Sequence, residues 1–198
     1  MNIAKKDLVV FDLDGTLAPS KQPMNPSMGA LMARLLAAKK VAVISGGGFP
    51  QFQRQFLASM PVNIEGYANL TLLPTSGTRM MVWRGSWTEK YYERLSPTDK
   101  KKITDALGRA LAEGGYAKPV MTWGPIIEDR DTQITFSALG QEAPLSAKEP
   151  WDPDQAKRKK IVAALAPRLP GFDVRIGGIT SIDITKRGIN KAYGIHKL

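Results

Sequence analysis

The chain contains no cysteine. Disulfides, thiolate metal sites and cysteine nucleophiles are therefore excluded, and any chemistry must run on carboxylates, hydroxyls, amines or backbone groups. Histidine is nearly as scarce, and the single one, His196, has no partner in view that would make it catalytic. No apolar run approaches the ~20 residues that a membrane helix needs. The apolar stretch that follows Lys5 and Lys6 is broken too early by Asp12 to read as a signal peptide. A cytoplasmic protein is the expectation. Internal repeats and low-complexity segments are lacking as well, and a length of 198 residues allows one large domain or two small ones.

Acidic residues are in short supply: 18 Asp and Glu stand against 28 Lys and Arg, a net charge of +10. Such a balance fits nucleic acid, an anionic membrane surface or phosphorylated substrates. The densest basic groups, Lys100-Lys101-Lys102 and Lys157-Arg158-Lys159-Lys160, fall in helix-like segments without interleaved aromatic residues. They read as solvated faces and not as a base-stacking platform. A small phosphorylated substrate is the partner expected; nucleic acid and membrane are not.

What is present begins with Leu8-Val9-Val10-Phe11, an apolar run that delivers Asp12-Leu13-Asp14-Gly15-Thr16. A run apolar on both faces reads as a parallel strand with helices on each side. Ligands of open α/β sheets bind outside the carboxyl ends of the strands, where both Asp residues fall. One carboxylate can attack phosphorus and the other can move a proton. Gly15 permits the sharp turn that keeps both in one pocket. An ordinary Asp-Gly turn is the competing reading.

A helix is expected over 27–39, from the spacing of Met28, Leu31, Met32, Leu35 and Leu36. Val41-Ala42-Val43-Ile44 reads as a second strand ending at Ser45 and Gly46-Gly47-Gly48, with a helix over 49–59. Residues 69–83 read as one or two strands around Pro74–Gly77. The pattern changes at 84. Ser96-Pro97-Thr98-Asp99 starts a helix with cap, proline and first-turn carboxylate, and Gly114-Gly115 stops it. Residues 126–138 read as strand, 153–166 as a helix capped by Asp152, and 172–176 and 180–185 as strands. The expected architecture is an α/β core with a parallel, Rossmannoid sheet over 1–83, an inserted α+β cap over 84–186, and a return to the core over 187–198.

Residues 8–17 resemble the first motif of the haloacid-dehalogenase-like phosphohydrolases. Val41–Ser45 is similar to their second motif, and Lys191, in Gly188-Ile189-Asn190-Lys191, to their third. The cap resembles that of the eukaryotic-type phosphomannomutases, the type IIB cap shared with Cof-like members. Three stretches carry that likeness: Asp12 to Gln22, Ile127 to Gly140, and Gly177 to Asp183.

The resemblance implies Asp12 as nucleophile, Asp14 as acid and base, Ser45 as a ligand of a phosphoryl oxygen beside the amides of Gly46 and Gly47, and Lys191 as the neutralising cation. It also implies Mg²⁺ held by the Asp12 carboxylate and the Asp14 carbonyl. In the cap it implies Arg130 as a phosphate ligand and Ser181 and Asp183 as sugar-site residues. Lys21, Gln141 and Lys148 stand where the mutases place arginines. Lysine keeps the charge and loses the bidentate fork, and glutamine loses both. A weaker distal clamp favours simple hydrolysis over mutation of the sugar phosphate. Taken singly, Arg130 could pair with Glu128 or Asp131, Ser181 and Asp183 could be the outer face of a strand, and Lys148 reads as solvated.

The family's fourth motif, Gly-Asp followed by Asn-Asp, has no counterpart, since no acidic residue occurs from Ile184 to Leu198. The expectation is a chain shortened at its C-terminus, or one that borrows a strand from a partner; a homodimer is a separate option. Leu8–Phe11 should then form an open sheet edge. Mg²⁺ binding should be poor and hydrolysis slow or absent. The competing class is a non-catalytic anion-binding module that keeps the fold.

Overall fold

A computed structural model describes residues 6–61 and 65–198. Lys5, one of the two lysines before the first apolar run, lies outside them. The chain divides into two compact units, one running to Tyr92 and including Asn190–Leu198, the other comprising Glu93–Ile189. In chain order the first holds β1 (Leu8–Asp12), α1 (Pro26–Ala38), β2 (Lys40–Ile44), α2 (Phe49–Gln55), β3 (Leu70–Leu73), β4 (Arg79–Trp83) and β5 (Trp87–Tyr92). The second holds α3 (Pro97–Glu113), β6 (Ile127–Asp129), β7 (Gln133–Ser137), α4 (Leu145–Lys148), α5 (Ala156–Leu165), β8 (Phe172–Gly177) and β9 (Ser181–Lys186), and α6 (Lys191–His196) belongs to the first again. None of the described helices is long and apolar enough to cross a membrane.

The first unit is a five-stranded sheet in the order β1-β2-β3-β4-β5. β1, β2 and β3 are parallel, as expected, whereas β4 and β5 are antiparallel additions. β5 lies beyond the boundary expected at 83. The Arg84–Ser86 turn, with Gly85 at φ +80°, folds it back onto β4. Its charged residues Glu89 and Lys90 face solvent on an edge strand, which hid it from a search for apolar runs. β1 is the opposite edge and pairs only with β2 among the described residues. Val9, Val10 and Phe11 are half-buried, while four of the five β2 residues are buried.

One sheet face is covered by α1 and α2, whose Met32, Leu36 and Phe52, with Phe56 just after α2, pack with Phe11, Val41, Val43 and Leu72. The other face carries the smaller cluster Ala42, Ile44, Leu73 and Met80, with Val10 at its border. Here α6 approaches: a Cβ built on Gly194 would lie 3.4 Å from Ile44 Cδ1. α1 begins as its sequence dictates, with Pro26 in the first turn and Asn25 Oδ1 accepting from the Ser27 amide at 2.9 Å. Its Gly29 meets the Ser59 carbonyl so closely that a Cβ would overlap main-chain atoms. Gly29→Ala should therefore destabilise by about 1–3 kcal/mol through overpacking, although alanine is the better helix former. A urea melt of the variant checks this, and a gain in stability would refute it.

The second unit is an antiparallel sheet in the order β6-β7-β9-β8. One face buries Ile134, Phe136, Ile182 and Ile184 against Ile103, Leu107 and Ala110 of α3 and Ile161 and Leu165 of α5. α3 starts with a full capping box, Ser96 and Asp99 each bonding the other's amide. The stretch 126–138, expected as a single strand, is a hairpin. Asp131 at φ +64° turns the chain, and Asp129 Oδ1 accepts its amide at 2.8 Å. The helix expected from 153 starts at Ala156, and Asp152 caps it from outside, accepting from the amides of Lys157 (2.9 Å) and Arg158 (3.2 Å).

Candidate active site

β1 and β2 run in parallel register, Asp12 opposite Ile44, so both strands end at the same edge of the sheet. Asp12 is the last residue of β1 and Ser45 the first after β2. Beyond Asp12 the chain coils tightly: Gly15 sits at φ +76°, and the amides of Leu17 and Ala18 return to the Leu13 carbonyl at 3.0 and 3.1 Å. This turn brings Asp14 back toward β2. Gly15 is thus used as its sequence position implied.

Lys191, the first residue of α6, places Nζ 2.9 Å from Asp12 Oδ2. Both side chains are a little under half exposed, so the pair faces solvent at the strand ends. Among the described residues Asp12 Oδ1 accepts only from the Leu13 amide, at 2.9 Å. Asp14 is held quite differently. Its Oδ1 accepts from the Lys21 amide at 2.8 Å and from Gln55 Nε2 at 2.9 Å. Its Oδ2 accepts from Ser45 Oγ at 3.1 Å and from Gln51 Nε2 at 3.2 Å. All four bonds are donated to the carboxylate. Lys21 therefore enters through its main chain, in a left-handed conformation at φ +57°.

Ser45 is 1% exposed, and its hydroxyl also accepts the Gly47 amide at 3.2 Å. A Cβ on Gly47 would overlap the Gln51 carboxamide, so a side chain there would displace that group from Asp14. Gly46 is half-buried beside it. The core residues singled out from sequence are thus brought together around Asp12 and Asp14. Gln51 and Gln55 were not among them. Their signal was available: two carboxamides at i and i+4 on α2 lie on one face and can converge on one acceptor.

Ser181 and Asp183 lie on the sheet face opposite α3 and α5, since Ile182 and Ile184 face those helices. Glu128, Thr135, Asp183 and Arg175 form one row across the four strands. Arg130 is gripped by Glu128, with Nη2 and Nε 2.6 and 2.9 Å from Oε2, and its Nη2 reaches Gln141 Oε1 at 3.1 Å. Asp183 Oδ1 accepts from Thr135 Oγ1 at 2.8 Å, and Ser181 Oγ stands 3.5 Å from Ser137 Oγ. Ser181 and Asp183 are half-buried while Ile182 and Ile184 are buried, the alternation of a strand with one covered face. Lys148 departs from its reading as solvated: on α4 it is only 5% exposed. α4 did not announce itself in the sequence, and it tucks this lysine inward.

Mg²⁺, implied by the resemblance, finds few donors. No group of three His, Cys, Asp or Glu side chains suited to a metal occurs among the described residues. Both Asp14 oxygens are occupied by hydrogen bonds and Asp12 Oδ2 by Lys191. Of these oxygens only Asp12 Oδ1, which accepts the Leu13 amide, has no side-chain partner among the described residues, so Mg²⁺ here would keep mostly water ligands.

No family model matches the chain. Among curated proteins it is similar to phosphomannomutase 1 of Mus musculus, at 25% identity over 96% of this chain and 73% of that protein. It is similar to the phosphomannomutase of Saccharomyces cerevisiae at 24% identity, over 94% of this chain and 72% of the relative. Among solved structures it resembles the IMP-nucleotidase of Plasmodium falciparum, with a TM-score of 0.65 and 13% identity over 96% of this chain. It spans about half, 54%, of that nucleotidase chain. A haloacid dehalogenase-like hydrolase from Bacteroides thetaiotaomicron matches with a TM-score of 0.59 and 16% identity, over 98% of this chain and 76% of the hydrolase.

Proposed function

Since this chain belongs to the haloacid-dehalogenase-like superfamily, in its phosphomannomutase-like branch, we propose that it transfers the phosphoryl group of a phosphorylated sugar to Asp12. The observation that carries this is the 2.9 Å pairing of Lys191 with Asp12, made across 179 positions of sequence at the shared strand ends. A lysine in that place offsets negative charge on both the nucleophile and the incoming phosphoryl oxygens.

In the first half-reaction Asp12 Oδ1 attacks phosphorus, the bond to the sugar oxygen breaks, and that oxygen takes up a proton. In the second, water attacks phosphorus, the Asp12–phosphorus bond breaks, and phosphate leaves. Asp14 would deliver the first proton and accept the second. Ser45 would exchange its bond to Asp14 for one to a phosphoryl oxygen, since its hydroxyl can rotate. Arg130, Ser181 and Asp183 are the cap residues we assign to substrate selection, with Lys148 and Lys21 in lesser parts. Arg130 already answers to Glu128 and Gln141, which favours a phosphatase over a mutase that must grip a second phosphate.

Mg²⁺ alone should bind in the millimolar range or weaker, and inorganic phosphate should tighten it, because linkage is reciprocal. Calorimetric titration with and without phosphate checks this, and tight binding without phosphate would contradict it. The function itself is tested by a screen of sugar phosphates at high Mg²⁺, scoring phosphate release and isomer interconversion. Release without interconversion is the expected result; interconversion would make the chain a mutase. The scarcity of metal donors favours one second reading, an anion-binding module without turnover. Phosphate binding that depends on Lys191, with no turnover of any sugar phosphate, would select it.

A further inference from the structure

We propose that the Thr75–Gly77 turn is a positioning element that sets the distance from Lys191 to Asp12, an inference that rests on reading those two residues as the phosphoryl-handling pair. Three consecutive residues here have left-handed backbones: Thr75 at φ +49°, Ser76 at +59° and Gly77 at +85°. Two of them carry a Cβ, so the conformation is strained and persists only because its surroundings enforce it. Those surroundings are the two halves of the site. The Thr75 amide donates to the Gly47 carbonyl and the Ser76 amide to the Ser45 carbonyl, each at 2.8 Å. The turn therefore clamps the loop that carries Ser45.

Its other side bears on α6. Gly77 and Gly194 approach so closely that a Cβ on either would lie 2.8 Å from the Cα of the other. Gly194 is three residues after Lys191, hence on the same helix face. Asn190 fixes the start of that helix, its Oδ1 accepting from the amides of Ala192 (2.9 Å) and Tyr193 (3.2 Å). Tyr91 closes the clamp from β5, its hydroxyl donating to the Gly77 carbonyl at 2.7 Å while its ring meets that of Tyr193 edge-on at 6.0 Å. One strained turn thus touches both the Ser45 loop and the Lys191 helix. The glycine-to-glycine contact is the spacer. Any side chain there pushes α6 outward and draws Lys191 from the nucleophile.

Gly194→Ala tests this cleanly, because Gly194 is an ordinary helical residue and alanine adds only the spacing. The probe is inorganic phosphate, titrated calorimetrically into the parent chain, Gly194→Ala, Lys191→Ala and the double variant. Gly194→Ala should weaken phosphate binding about tenfold, since a misplacement near 1 Å is costly at a reacting centre. In the Lys191→Ala background the same change should have no further effect. Equal losses in both backgrounds, as general destabilisation would give, overturn the proposal, as does unchanged affinity in Gly194→Ala. Acetylation of Lys191, followed by peptide mass spectrometry, should run faster in Gly194→Ala, and an unchanged rate counts against it. Gly77→Asn, which keeps a left-handed backbone and adds a Cβ from the other side, should reproduce the loss if Gly194→Ala does not fold. Full phosphate affinity in Lys191→Ala would instead remove the phosphoryl-binding reading on which the inference stands.

Discussion

Asp152→Ala should cost about 3–5 kcal/mol of stability, the loss expected when one partner of a buried ion pair is removed. Asp152 and Arg158 are almost wholly buried in the cap, and their closest approach is 2.7 Å, from Nε to Oδ2. The guanidinium spends its other donors on main-chain carbonyls: Gly177 at 3.1 Å, Gly178 at 2.8 Å and Asp152 itself at 3.2 Å. The carboxylate also takes the amides of Lys157 and Arg158. Removing it leaves a cation in the interior and uncaps α5 in one step. Domains of this size are stable by only about 5–15 kcal/mol, so the loss should be plain in a urea melt. Removing both charges, as Asp152→Ala with Arg158→Met, should recover part of it, because the isolated charge is the main penalty. A single variant that loses less than about 1 kcal/mol, as exposed pairs do, would refute the burial argument.

The same pair gives the cap an acid limit. Burial pushes the Asp152 carboxyl up, but hydrogen bonds from the Arg158 side chain and the two amides outweigh it and hold the carboxyl below its ordinary value. A folded-state value lower than the unfolded one contributes stability that is fully present above about pH 4 and is lost as the pH falls through the folded value. Stability of the parent chain should therefore decline below pH 4, and Asp152→Ala should lack that part of the decline.

Much of this was legible in the sequence because local signals and tertiary packing agree. Asn25 and Pro26, or Ser96 and Asp99, fix helix starts through bonds made within a few residues. The alternation of Ser181 to Ile184 fixes which face of β9 is covered. Asp12, Asp14 and Ser45 announce the site because strand ends collect ligands. What escaped depended on distant partners. β5 is a strand because β4 lies beside it, not because its residues are apolar. Lys148 is buried by α4 and its surroundings, which nothing in its neighbours foretells. The i, i+4 spacing of Gln51 and Gln55 marks a shared face, but their acceptor is named only when the Gly15 turn brings Asp14 within 3.2 Å of them. Thr75 and Ser76 read as an unremarkable turn until Gly194 arrives against Gly77.

Asp12→Asn should abolish covalent labelling of the chain by a phosphoryl donor or by beryllofluoride at high Mg²⁺, and reduce any turnover below detection. The amide cannot attack phosphorus, and it also removes the anion that Lys191 faces, leaving the lysine to bind phosphate without competition. Inorganic phosphate should thus bind Asp12→Asn at least as tightly as the parent chain, a gain opposite in sign to the loss of labelling. Asp14→Asn separates the proton-transfer role from the nucleophilic one. It should retain the label at Asp12 yet slow turnover of a sugar phosphate about 10²–10⁴-fold, the usual worth of a general acid or base. An aryl phosphate, whose leaving oxygen needs no proton, should suffer less in labelling than an alkyl phosphate. Part of the Asp14→Asn effect will be structural, because its new amide must face one of the donors on Ser45, Gln51, Gln55 or Lys21. Ser45→Ala calibrates that part, since it removes one donor and leaves the carboxylate. Label retained in Asp12→Asn, found on another residue, would move the nucleophile elsewhere. Equal labelling defects in Asp12→Asn and Asp14→Asn would mean that the two carboxylates act as one anion site and not as nucleophile and proton carrier.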